Sequence, residues 1–223
     1  GTRDVLKFLI EATSKIDAQD VFGWTALFHA CRNSRADTVE FLLESKASLK
    51  ARACDGKTLL MVATLDGADA LVMNLVSRKI PLDKKCDRGW SVLFYACDED
   101  RVSLVKWLLK KQANLKDKAK DGTTALMVAA ERGSNIKIAQ ALVKKSMNVN
   151  TKNDFSQTAV VLALKAGNEE FVEYLLTTNI DTSIKTLDQE DAVDIAERLG
   201  LHGLKTRLEF KARASAENKA ADG

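Results

Sequence analysis

Glycine recurs at a fixed interval in this chain, and no other feature constrains the fold as strongly. Gly23, Gly56, Gly89 and Gly122 are spaced 33 residues apart. They lie in four matching segments: Phe22-Gly23-Trp24-Thr25-Ala26-Leu27, Asp55-Gly56-Lys57-Thr58-Leu59-Leu60, Arg88-Gly89-Trp90-Ser91-Val92-Leu93 and Asp121-Gly122-Thr123-Thr124-Ala125-Leu126. Two weaker copies follow. Thr158-Ala159-Val160 lies 34 residues after Thr124-Ala125-Leu126, so one residue is inserted, and Asp191-Ala192-Val193 lies another 33 on. A period of this length marks one supersecondary unit used repeatedly, each copy burying its apolar face against its neighbours.

Every unit has the same grammar. A Gly turn precedes a short apolar helix such as Thr25 to Cys31. After a polar turn comes a second helix with apolar residues at helical spacing, such as Val39, Leu42 and Leu43. That second helix recurs as Leu104-Val105-Lys106-Trp107-Leu108-Leu109 and Glu170-Phe171-Val172-Glu173-Tyr174-Leu175-Leu176. A short extended stretch such as Ala47-Ser48-Leu49-Lys50 leads to the next Gly. Helices this short are not stable alone, so stacking of units is required.

This pattern resembles the ankyrin repeat. The period fits, and T-x-L-x-x-A recurs as Thr25-Leu27-Ala30, Thr58-Leu60-Ala63 and Thr124-Leu126-Ala129. The inter-helix glycine of the family is matched by Gly67, Gly133, Gly167 and Gly200. The resemblance implies an all-α solenoid of stacked helix-turn-helix repeats joined by short hairpin loops. The departures are specific. The family's T-P-L-H becomes T-A-L or a variant of it, with Ala26, Leu59, Val92, Ala125, Ala159 and Ala192 in place of Pro. Phe28, Met61, Phe94, Met127, Val161 and Asp194 stand in place of His. Packing by Phe and Met is expected to replace the family's Thr–His bonding. Ser34 and Asp100 fill the inter-helix Gly position, at a cost of about 1 kcal/mol each if φ there is positive.

A single repeat domain over 1–210 is expected, with an N-terminal half repeat (1–19), five repeats (20–185) and a degenerate C-terminal cap (186–210). Gly1 aligns with the inter-helix Gly, and Leu6, Leu9 and Ile10 align with Val39, Leu42 and Leu43, so the chain opens inside a repeat and a preceding helix is expected. In the cap, Arg198, Lys205 and Arg207 make a polar outer face. Residues 211–223 read as a polar tail, frayed or disordered.

Composition removes several classes of function. Apolar residues are 46% and charged residues 29% of 223, and the net charge is +3. These are the proportions of a globular protein, without the strongly basic balance of a nucleic-acid binder. No apolar run is long enough to span a membrane. With two His and no C-x-x-C or H-x-x-x-H spacing, neither a metal nor another cofactor is implied. No nucleophile elbow, P-loop or dinucleotide fingerprint occurs, so no enzyme is expected. Cys31 and Cys97 stand two repeats apart, too far for a disulfide, and read as small buried apolar residues; Cys54 and Cys86 lie on adjacent tips, where pairing stays open beside the reading of four free thiols. Free thiols lean toward the cytoplasm, while an upstream signal peptide would make the chain periplasmic or secreted.

The resemblance implies that the chain binds another protein, and the aromatic tips and the absence of catalytic motifs support this. The resemblance implies contact through the hairpin tips and the exposed first-helix positions. The tips carry Phe22, Trp24, Lys57, Arg88, Trp90, Thr123 and Phe155, and the first helices end in Arg32, Asp66, Asp98, Glu99 and Arg132. Large aromatics at turns are unusual, and Trp and Arg often supply interface hot spots. The alternative is that each ring folds back over its own or a neighbouring repeat. Trp107 shares its position with Phe8, Phe41 and Tyr174, which reads as packing. Asp98-Glu99-Asp100 with Asp66 is either an acidic patch for a basic partner or a solvated turn. Lys84-Lys85, Lys110-Lys111 and Lys144-Lys145 form a solvated rim or a weak phosphate-binding stripe. The expectation is a protein, monomeric when free, that covers the active site of a partner enzyme as an inhibitor or immunity-type protein. An adaptor or secreted effector that recruits a partner without inhibiting it is the alternative.

Overall fold

The computed structural model describes residue 7 and residues 15–221. The expected half repeat, with Leu6, Phe8, Leu9 and Ile10, therefore lies outside the described residues. Twelve α-helices and no strand are found among those described. The chain divides into two compact units, one ending at Arg101 and the other beginning at Val102.

The first unit holds α1 (Ala26–Arg32), α2 (Ala36–Glu44), α3 (Leu59–Leu65), α4 (Asp69–Ser77) and α5 (Val92–Asp98). The first helices of successive repeats stack, α1 on α3 and α3 on α5, and α2 and α4 each pack on the helix before them. The second unit holds α6 (Val102–Lys110), α7 (Ala125–Glu131), α8 (Ile136–Lys144), α9 (Ala159–Lys165), α10 (Glu169–Leu176), α11 (Ala192–Arg198) and α12 (His202–Ala221). There α7, α9 and α11 stack in one row, and α6, α8, α10 and α12 in another.

The two helix types bury different amounts of themselves. Residues 59–64, 92–97, 125–130 and 159–164 are buried without a break, because each such helix is enclosed by the rest of its stack. This is why the first helices are apolar all round. Second helices bury one stripe, as in Leu104, Val105 and Leu108 or Phe171, Val172 and Leu175. Phe41, Trp107 and Tyr174 are half-buried beside that stripe. In the cap, Leu204 and Leu208 are buried while Phe210 is exposed. The helix α12 continues to Ala221, into the residues expected as tail.

Turn chemistry matches the repeat. The inter-helix position is left-handed at Gly67, Gly133, Gly167 and Gly200, and also at Ser34 and Asp100, each with φ of 50°. The inserted residue of the fourth repeat falls in the turn between α7 and α8, where Asn135 caps α8 by accepting from the Lys137 N–H. The residues that replace His act as anticipated in part. Phe28 and Phe94 fill the core. Met61 and Met127 do more than pack: their sulfurs accept from the N–H of Thr58 (3.3 Å) and Thr124 (3.4 Å). A thioether here completes a capping box that usually needs Glu or Gln.

Candidate functional site: the hairpin tips and their grooves

Each tip is built by the same two backbone bonds. In the first, the Asp20 N–H donates to Trp24 O and the Gly23 N–H to Asp20 O; Ala53/Lys57 and Cys86/Trp90 repeat the pattern. Within the first unit a third bond joins each tip to the next. The Cys54 N–H donates to Phe22 O (2.9 Å) and the Asp87 N–H to Asp55 O (3.0 Å). In the second unit the Asp154 N–H donates to Asp121 O (2.8 Å). The turn glycine is needed twice over, for its positive φ and for this close approach. A Cβ at Gly23 would lie 2.8 Å from Cys54 N, and one at Gly56 2.5 Å from Asp87 Oδ1.

The aromatic tip residues divide by exposure. Phe22 is 67% exposed, beside Val21 at 87%. Trp24 is half-buried, tilted against Phe28 and His29, with the Arg32 guanidinium 5.2 Å from its ring centre. Asp20 holds this tip by accepting from the N–H groups of Trp24 and Phe22 and bonding His29 Nε2. The Trp24 N–H is the leading cause that keeps the Asp20 carboxyl below its ordinary value.

Trp90 corrects the expectation of a projecting ring, since it is only 7% exposed. It lies against Phe94 and the edge of Tyr95, and Arg88 closes over it at 4.2 Å. Thr123 is likewise buried, its N–H bonded to Asp121 Oδ1. Neither side chain projects from its turn. Arg32, Asp66, Arg88, Glu99 and Arg132 are exposed, Lys57 and Asp98 are half-buried, and Phe155 is 54% exposed.

Four of the anticipated residues meet in one groove of the first unit. Lys57, Arg88, Trp90 and Asp98 line a space of about 220 Å³ together with Tyr95 and Cys86. Lys57 pairs with Asp55 on the same wall. Tyr95 was not anticipated. Its hydroxyl donates to Cys86 Sγ (3.5 Å), and burial raises its phenol above the ordinary value. The signal was available: at the position where Val62 and Val128 are apolar, Tyr95, like His29, carries a polar group. Leu187, 63% exposed at the next tip beyond Phe155, was also overlooked.

All four cysteines are free. Cys31 and Cys97 are fully buried; burial pushes the Cys31 thiol up to about 12 and raises Cys97 as well. Cys54 is exposed and Cys86 is buried beneath Tyr95. No metal-ligating cluster is found among the described residues. None of the described helices is long and apolar enough to cross a membrane.

Stacked two-helix repeats with bonded tips, exposed apolar side chains and no catalytic constellation among the described residues define a repeat module for protein binding. A family model described as "Ankyrin repeats (3 copies)" matches residues 1–85, 49–119 and 93–188, and the chain belongs to the ankyrin-repeat family. No individual curated protein matches it. Ankyrin repeats are protein–protein interaction modules, and the fold is typically a scaffold without catalysis.

Proposed function

We propose that this chain binds a partner enzyme along the tips of its first unit and covers that enzyme's active site. The supporting observation is the exposed Val21-Phe22 pair on a tip that is bonded, through the second tip, to the one carrying the Arg88–Trp90 groove. Apolar side chains this exposed add little to the core of the unit, and an apolar anchor with a polar groove suits a hot spot. Asp98 at the groove and the exposed Asp66 and Glu99 supply a negative rim for basic residues of the partner. Arg32 and Arg88 contribute through the rings they cover.

The test uses the chain as bait in native lysate from its own source, with a Phe22→Ala variant alongside. An enzyme retained by the parent, lost by the variant and inactive when saturated with the chain supports the proposal. Phe22→Ala is expected to weaken retention by about 2 kcal/mol, a hot-spot magnitude. A partner that stays active while bound would make the chain an adaptor, and retention indifferent to Phe22 would remove the first tip from the interface.

A further inference from the structure

We propose a second docking surface, in the second unit: a groove that takes an acidic, partly apolar peptide segment of a partner protein. It does not depend on the tip surface proposed above. The groove holds about 780 Å³ and lies where the segments following α6 and α8 run side by side. Its floor includes Leu115 and the buried Met147. Lys116, Lys118 and Lys145 line it, and no Asp or Glu does. The nearest carboxylate in sequence, Asp117, is buried and accepts from Asn114 Nδ2. Among the described residues, the ammonium groups of Lys116 and Lys145 meet no carboxylate.

Helix dipoles explain only part of this charge. Lys145 caps the C-terminus of α8, where a cation is favourable in any case. Lys116 and Lys118 lie in the loop beyond Lys110, the last residue of α6, outside the reach of its final turn. Lys116 and Lys145, unpaired over an apolar floor, match carboxylates spaced by apolar side chains, which is charge complementarity of the kind that selects partners. A nucleic acid fits less well. No aromatic ring lines the groove for base stacking, and the chain's net charge is only +3. The size suits several side chains of an extended segment rather than one small anion.

The experiment selects a random dodecapeptide display library on the whole chain. The expected peptides are rich in Asp and Glu interspersed with apolar residues. Their affinity should fall about tenfold in Lys116→Gln/Lys145→Gln, the effect of losing two solvent-facing ion pairs, and should fall again with added salt. Phe22→Ala should leave it unchanged, which separates this groove from the tip surface. Circular dichroism and thermal unfolding confirm that the variants fold. Selection on Lys116→Glu/Lys145→Glu should lose the acidic bias. The proposal is overturned if no peptide is selected, if the selected peptides are not acidic, or if they ignore the two lysines. It is equally overturned if a single-stranded oligouridylate binds more tightly than the peptides at the same salt.

Discussion

Lys46, Lys79, Gln112 and Ser146 each end a second helix in the left-handed conformation, with φ between 63° and 67°. That geometry disfavours any side chain with a Cβ. Lys79 is exposed, with its N–H bonded to Val76 O and no side-chain hydrogen bond or ion pair among the described residues. Lys79→Gly should therefore raise stability by about 1 kcal/mol, read as a shift of the urea midpoint at constant slope. A drop would mean that the side chain contributes something beyond its strain. Asp20 offers a pH handle at the same scale. Its folded value is lowered, so the ionised form stabilises the first tip above the ordinary 3.8, and this is lost as pH falls below that value. Amide exchange at Trp24 should quicken over that acid window in the parent and show no such step in Asp20→Asn.

Helix placement was legible because the apolar positions recur at helical spacing and each first helix begins after Thr, Ser or Asp. Two things at the level of the element were missed. The bond from tip to tip involves backbone atoms, which leave no trace in side-chain patterns. Trp90 was expected to project because turns favour small polar residues, yet Phe94 and Tyr95 one helical turn on receive it and Arg88 covers it. Trp24 has the same neighbours in sequence, Phe28 and His29, so a ring folded back onto its own helix was readable from the repeated spacing. Two predictions belong here. Gly56→Ala should cost more than Gly133→Ala, although both glycines are left-handed. The first would also press a Cβ against Asp87, whereas the second meets nothing within 4 Å. Strain alone is worth about 1 kcal/mol, so equal losses would show that the tip contact carries no weight. Met127→Leu keeps the volume and removes the sulfur acceptor, and should cost about 1 kcal/mol in thermal unfolding.

Each unit is held together by short-range dependence, as repeat stacks are: within a unit the helices lean on their immediate neighbours. Each unit has its own row of buried first helices, with Leu60, Val62 and Leu93 in one and Leu126, Val128 and Leu164 in the other. The repeat period and the solenoid class were readable over nearly the whole chain. The candidate surface was readable only as a set of positions, because whether a tip side chain faces solvent depends on contacts made outside its own turn.

The four sulfurs have a further consequence. Cys31, Cys54, Cys86 and Cys97 all belong to the first unit, and only Cys54 is open to solvent. The chain therefore carries a built-in clock on one of its halves. An alkylating reagent should mark Cys54 at once and the other three only as fast as that half breathes open, while the half without thiols stays silent.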